Sequence, residues 1–433
     1  ERGSFRVGKT ADVRHLLVCA RGLQYRVELS LDGSPPEVDP LAATLRHIWT
    51  ESRVMAGARP TIGALSGALP GTQTAGFARL LAQAGNREAY RSVLETFITV
   101  CLDLETRPST DEETARVALI SNPENRWYHA SLQVVVFANG RACLVCNPDA
   151  GVTGNAMMRA AREILTRVDQ TARSTSARPP RPAEVVTWDG SALPVERVAR
   201  DLDGMRHDQP STFELPRFGR RRVEALGLPP IELFVAGVQD AVARLTGEPA
   251  SVSQFVGATG YRGGSHATAV VSTPELERSR QALAGDDVQA ILARFAEAVE
   301  SQRTVCRAAR RAVPLPLALS LFRATRRGWR GRQAERLLDA LVWLLRGIGL
   351  EMDPPGRDVV LSHPVAVDEA PLVGRPGVRL PYIRLFGLHY QVLADRTVFT
   401  VMPGREWTGS TSELASAIEH SLDRQMVLLS TER

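Results

Sequence analysis

Residues 14–30 alternate apolar and polar positions and run into Asp32-Gly33, a pattern that predicts a strand followed by a hairpin turn. Helical spacing follows over 40–56 and 73–100. The second of these stretches carries apolar residues at Phe77, Leu80, Leu81, Tyr90, Val93, Leu94 and Ile98. Residues 131–146 read as a hairpin, because Asn139-Gly140 is a strong two-residue turn signal, and a helix is expected through about 155–170. In the second half the pattern predicts helices at 229–246, 274–284, 286–309 and 331–349 and strands at 251–258 and 357–362. A hairpin at 384–402 and a final amphipathic helix at 411–428 close the chain. Helices and strands mix through both halves, so the expected class is α/β, and no short-period repeat is visible. The stretch Thr171–Pro182 is built of Ser, Arg and Pro without an apolar run and reads as a linker. It predicts two domains, residues 1–175 and 185–433.

Composition narrows the function classes. With 433 residues, 44% of them hydrophobic and 23% charged, the chain has material for two or three real cores. No run of 18 or more apolar residues occurs, so no membrane span is expected. No signal peptide opens the chain, and it begins at Glu1 rather than Met, which leaves room for an upstream piece. A net charge of +5 from 53 basic and 48 acidic residues is mild, and no basic stripe interleaved with aromatics suggests a nucleic-acid partner. Lys9 is the only lysine; arginine dominance with abundant Ala, Gly and Pro points to a GC-rich, bacterial genome. Five cysteines at unrelated spacings suit a reducing cytoplasm. Cys143-Leu144-Val145-Cys146 matches C-x-x-C, but residues three apart on a strand face opposite sides, so two small core residues are expected rather than a redox or zinc pair.

Several segments then fall into one order. Thr61-Ile62-Gly63-Ala64-Leu65-Ser66 precedes a stretch ending in Phe97-Ile98-Thr99-Val100-Cys101-Leu102-Asp103, read as the close of the second helix. Asn125-Arg126-Trp127-Tyr128 and Leu132-Gln133 come next, then Phe218-Gly219-Arg220, Pro229-Pro230 and Leu245-Thr246-Gly247-Glu248-Pro249. Tyr261-Arg262-Gly263-Gly264-Ser265-His266-Ala267-Thr268 and Phe386-Gly387-Leu388-His389-Tyr390 complete the set. This colinear order resembles the choline/carnitine acyltransferase family over nearly the whole chain. The resemblance implies two similar domains, each a mixed sheet flanked by helices, with an active-site tunnel between them. Members are usually longer, and their helical N-terminal part has no counterpart here.

The family moves an acyl group from coenzyme A to a hydroxyl, with a His in an E-H-A-x-x-D-G-like motif as general base. The matching segment is Cys146-Asn147-Pro148-Asp149-Ala150-Gly151-Val152-Thr153-Gly154, which has no His. Matched without a gap, Pro148 takes its place; with one inserted residue Asp149 does, and burial could raise a carboxyl pKa far enough for it to serve as base; the alternative is a loop Asp capping the next helix. At the family's R-T-E-T-like acceptor motif, His266 stands at the Thr position and Ser265 at the Arg position. Val313-Pro314-Leu315-Pro316-Leu317 offers no cation where a later helix supplies an Arg, so a carboxylate acceptor such as carnitine would be poorly held. The S-T-S oxyanion motif corresponds to Leu361-Ser362-His363-Pro364, keeping a hydroxyl at Ser362 and gaining His363. By the resemblance, His266 and His363 would face one tunnel, and His129, after the NRW element, is read as structural. Gly219-Arg220-Arg221-Arg222 replaces the family's lysine run; Arg220, Arg221 and Arg222 suit a phosphate of coenzyme A or a carrier protein's phosphopantetheine, or else form a solvated basic turn.

Three readings follow. The chain is a diverged cytoplasmic acyl-transfer enzyme of bacterial specialised metabolism, taking a small-molecule acyl substrate as a coenzyme A or carrier-protein thioester and needing no further cofactor. Alternatively, it does other acid–base chemistry, such as cyclisation, in the same tunnel, or it is a catalytically dead scaffold.

Overall fold

In the computed structural model, the described residues are 15–29, 38–55, 62–146, 154–168, 180–205, 212–258, 265–285, 287–311, 358–363 and 383–430. The chain divides into two compact units, Glu1–Asp208 and Gln209–Arg433.

The first unit starts with a hairpin, β1 His15–Ala20 and β2 Leu23–Glu28. Its turn lies inside the stretch the pattern read as one strand. Arg21 and Gly22 both take positive φ, 50° and 78°, which is what a two-residue hairpin turn matching strand twist requires. Asp32-Gly33 lies outside the described residues. Helix α1, Val38–Val54, agrees with the spacing, but the long helix expected at 73–100 does not form. Helices α2 Ile62–Gly67, α3 Pro70–Leu80 and α4 Asn86–Leu94 lead into strand β3, Thr96–Asp103. Gly85, at φ 83°, breaks the helical run, and the β-branched cluster Thr96, Ile98, Thr99 and Val100 favours the pleated surface. Helix α5 Asp111–Ile120 follows, then strands β4 Leu132–Phe137 and β5 Ala142–Cys146 joined at Gly140, φ 82°. Helix α6 Gly154–Val168, strand β6 Ala183–Val185 and helix α7 Val195–Met205 complete the unit. Because β6 pairs antiparallel with β2, the strand after the Pro-rich stretch returns to the first sheet. The first unit therefore extends beyond the boundary expected at 175–185.

The second unit contains β7 Thr212–Leu215, α8 Arg220–Ala225, α9 Pro230–Thr246, β8 Val252–Ala258 and β9 Ser265–Val270. It continues with α10 Pro274–Ala282, α11 Val288–Arg311, β10 Val359–Ser362, β11 Phe386–Val392, β12 Thr397–Pro403 and α12 Thr411–Ser430. The helix expected at 331–349 lies outside the described residues.

The two six-stranded sheets run β5-β4-β3-β1-β2-β6 and β7-β12-β11-β10-β8-β9. Five strands of each follow one scheme. Reading β2-β1-β3-β4-β5 and β9-β8-β10-β11-β12, the pairings are antiparallel, parallel, parallel, antiparallel in both. Each unit is thus a hairpin, a central strand and a second hairpin; among the described residues, α1 to α4 lie between β2 and β3, α5 between β3 and β4, and α10 and α11 between β9 and β10. The sixth strand differs: β6 extends the first hairpin of its unit, whereas β7 extends the second hairpin of its own. The first sheet buries apolar residues on both faces, Leu17, Cys19, Cys101, Val135 and Phe137 on one side and Leu16, Val18, Ala20 and Leu102 on the other, and the former side also buries Gln24, Thr99 and Gln133. In the second unit a single core gathers the inward residues of α8 to α12 with Val252, Val256, Leu361, Phe386, Tyr390 and Phe399.

Candidate functional site

The motif segments of the first unit knit its core together. Arg126 is fully buried and donates from Nε to the Ala118 carbonyl at 2.7 Å, from Nη1 to the Asn125 carbonyl at 3.0 Å, and from Nη2 to the Asp103 carboxylate. Asn125 donates to Asp103 Oδ1 at 2.9 Å and to the Leu102 carbonyl at 3.0 Å. Gln133, of the Leu-Gln element, accepts from the Trp127 amide at 2.9 Å. Ser66 accepts from the Tyr128 amide at 3.0 Å. A Cβ on Gly63 would stand 2.5 Å from the carbonyl oxygens of Arg126 and Glu124, so the Thr-Ile-Gly segment needs glycine for close approach. These motifs hold a fold; their polar groups are spent on one another and on the backbone. His129 fits the same description. Its Nε2 lies 3.2 Å from Gln73 Oε1, its ring packs 5.1 Å from Phe77 and 5.2 Å from Trp127, and burial pushes its pKa down to about 4.

The cysteines of the C-x-x-C element sit on opposite faces of β5. Cys143 pairs in register with Val135 and Cys146 with Leu132. Burial raises both thiols, Cys143 to about 12, so at neutral pH they are protonated and poor nucleophiles.

Asp149 lies outside the described residues. Among the second-unit candidates, alternation along the sheet decides which share a face. Register pairs connect Thr212, Thr400, His389, Ser362, Phe255 and Thr268 into one lateral row across all six strands. The adjoining row, on the other face, runs Phe213, Phe399, Tyr390, with His363 beside Tyr390 just past the end of β10. His363 belongs to this aromatic row: its ring lies 4.8 Å from Tyr390 at 51°, and Tyr390 stacks on Phe234 of α9 at 4.2 Å. Ser362 and His363 therefore point to opposite faces, and the structure does not bring them together. Burial lowers His363 to about 4, so its imidazole is neutral at pH 7 and a weak base. Position 266 pairs with Gly257, two residues along from the Phe255 position, and so falls in the alternation of the Ser362 row.

The residue that shares the Ser362 face is His389. It pairs in register with Ser362 on one side and Thr400 on the other. Burial, with a smaller contribution from nearby His363, lowers it to about 4. Its Nε2 is buried and has no hydrogen-bond partner among the described residues. Thr400 and Thr212 exchange a hydroxyl hydrogen bond at 3.1 Å. The Phe-Gly-Leu-His-Tyr motif contained this residue, but only the pairing of β11 with β10 shows its neighbour. Chemically the row offers hydroxyls and one neutral imidazole able to donate or accept.

Arg220, Arg221 and Arg222 open α8. The amides of Arg220 and Arg221 donate to the carbonyls of Leu393 and Ala394 at 2.8 and 3.0 Å. A Cβ on Gly219 would come within 2.3 Å of the Asp395 backbone, and Phe218 is buried against Phe234 at 6.1 Å. The Phe-Gly-Arg motif thus docks α8 on the β11–β12 turn and leaves the side chains of Arg221 and Arg222 exposed. Among the described residues no His, Cys, Asp and Glu group suits a metal, and no helix is long and apolar enough to cross a membrane.

The chain belongs to the choline/carnitine O-acyltransferase family, whose model matches residues 3–313. It is 27% identical to human carnitine O-acetyltransferase over 124 residues, 26% of this chain and 19% of that enzyme. It is 34% identical over 134 residues to the highly reducing polyketide synthase ltbA of Aspergillus luteorubrus, 30% of this chain and 4% of that protein. The matched segments are thus a small part of either relative's length. Among solved structures, the condensation domain of the Monacolin K polyketide synthase MokA aligns over 78% of this chain and 80% of its own, at 12% identity and TM-score 0.39. The wax ester synthase/diacylglycerol acyltransferase of Marinobacter aquaeolei VT8 aligns over 69% and 70%, at 13% identity and TM-score 0.31.

Proposed function

We infer that the chain is a diverged acyl-transfer enzyme acting on a thioester carried by coenzyme A or by the phosphopantetheine of a carrier protein. The observation that carries this reading is the family match over residues 3–313. The exposed arginines Arg221 and Arg222 suit the phosphate common to both donors, since a guanidinium can pair with phosphate oxygens bidentately. Asp149 is the base candidate of the first unit. Ser362 and His266 are the candidates on the second unit's polar alternation, while His363 packs in the aromatic row. The acceptor is an alcohol or amine without a carboxylate that needs a clamp, because Ser265 stands where the family has Arg and 313–317 carries no cation. The setting is bacterial cytoplasmic specialised metabolism.

Thiol release measured with acetyl-coenzyme A and with an acetylated carrier protein tests the reading, with uncharged alcohols, amines, carnitine and choline as acceptors. Acceptor-dependent release from at least one donor is expected, with none from carnitine or choline. Turnover with carnitine at an ordinary enzyme rate would contradict the acceptor assignment. Failure of every donor to release thiol would contradict the enzyme reading and favour a binding scaffold.

A further inference from the structure

The second sheet carries one imidazole nitrogen that its fold does not explain. His389 lies between Ser362 and Thr400 in register, and its buried Nε2 has no partner among the described residues. A buried donor or acceptor left unmatched costs roughly 1–3 kcal/mol, so native chains keep such a group where something else satisfies it. The row contains three hydroxyl residues in succession with this imidazole, Thr212, Thr400 and Ser362, and no charged residue. A row without formal charge selects neither an anion nor a cation. It matches a neutral oxygen that gains partial negative charge, the description of a carbonyl under attack.

We propose that Nε2 of His389, in the row Thr212–Thr400–His389–Ser362, hydrogen-bonds the reacting carbonyl oxygen of the acyl substrate. This rests on the acyl-transfer reading and adds to it a residue at which the family motifs gave no role. With its proton on Nε2 the neutral ring donates to the carbonyl oxygen, and the bond shortens as that oxygen becomes an oxyanion. No proton need leave the ring in this step. The suppressed basicity of the ring fits this use, since a ring that stays neutral keeps one N–H and can polarise a carbonyl without first losing a proton. The contrast with His363 is part of the case. That ring also sits in the second unit with a pKa near 4, but it packs on Tyr390 in the aromatic row and shares no face with Ser362.

The test uses the full chain with 15N-labelled histidine and S-acetyl-N-acetylcysteamine or acetyl-coenzyme A as probe. The His389 resonance is assigned by its loss in His389→Gln, and thiol release is followed in parallel for wild type, His389→Gln and His389→Leu. The expected result is a shift of the His389 Nε2 signal on adding probe. Thiol release should fall about 100-fold in His389→Leu, the scale of one lost oxyanion donor, and be partly rescued in His389→Gln, whose amide restores an N–H. Wild-type thiol release with an unmoved Nε2 signal would overturn the proposal and leave the acyl-transfer reading standing. A moved signal without any thiol release would sink the acyl-transfer reading while keeping His389 in contact with the probe. Neither signal movement nor thiol release would overturn both. If His389→Leu does not fold, the wild-type shift alone decides.

Discussion

The two sheets share a pairing scheme and differ in what they present. Across the first sheet a lateral row reads Leu144, Val134, Val100, Val18, Tyr25, Val185, apolar but for one phenol. Across the second, a row reads Thr212, Thr400, His389, Ser362, Phe255, Thr268. The first sheet has a polar row too, on its other face, Val145, Gln133, Thr99, Leu17, Arg26, Glu184, but there Gln133 is spent on the Trp127 amide. In the first unit the polar residues that the family motifs preserve are turned inward as braces, with Arg126 and Asp103 the buried centre. In the second, polar groups are lined along a sheet face, and the aliphatic and aromatic side carries the helices. Two of the motifs that carry the family resemblance, Asn125-Arg126-Trp127 and Leu132-Gln133, belong to the brace.

The strongest way to break the comparison is to remove the brace. Arg126→Met leaves the Asp103 carboxylate buried without its cation, and the expected loss is about 3–5 kcal/mol, read as a fall in urea midpoint. An unchanged midpoint would mean the pair is not central to the first unit. Gly63→Ala comes next. A Cβ placed 2.5 Å from two carbonyl oxygens must push α2 away from the Asn-Arg-Trp turn, at about 1–3 kcal/mol by thermal or urea unfolding.

Acid gives a gentler contrast. His363 and His389 are lowered to about 4 in the folded chain, against 6.5 for a free imidazole. Between those values the unfolded chain binds more protons than the folded one, so stability is full above pH 6.5 and declines as pH falls toward 4. Each ring contributes at most about 1.4 kcal/mol per pH unit in that window. His363→Leu should flatten the dependence of stability on pH by up to that amount between pH 6.5 and 4 without changing it above pH 7; an identical slope would show that the ring is not held neutral. The smallest effect concerns Cys143. Its raised pKa predicts alkylation at pH 8 far slower in the native chain than in urea, and equal rates would mean the half-buried thiol is not held against the first core.

Period and turn chemistry made much of the fold legible. Helices α1, α9 and α12 and the hairpins at 132–146 and 386–403 lie where apolar spacing and turn residues put them. Strand β3 was masked by its own continuity with a helix, because Val93, Leu94 and Ile98 satisfy a helical period although Thr96 to Val100 are β-branched. The Arg21-Gly22 turn was hidden because arginine is an unusual residue at positive φ. The site was less legible for a different reason. Adjacent residues such as Ser362 and His363 look like one motif in a line of text, yet a strand sends them to opposite faces. The partner of Ser362, His389, is 27 residues away and is reached only through strand pairing.

The central claim is that the Ser362 face of the second sheet is the reacting face and the Tyr390 face is structural. Thioester cleavage in His389→Leu and His363→Leu, measured side by side on preparations with matched far-ultraviolet dichroism, tests it most directly. A fall of about 100-fold in His389→Leu, with His363→Leu within a few-fold of wild type, is the expected result. Loss of cleavage in His363→Leu with wild-type rates in His389→Leu would contradict it.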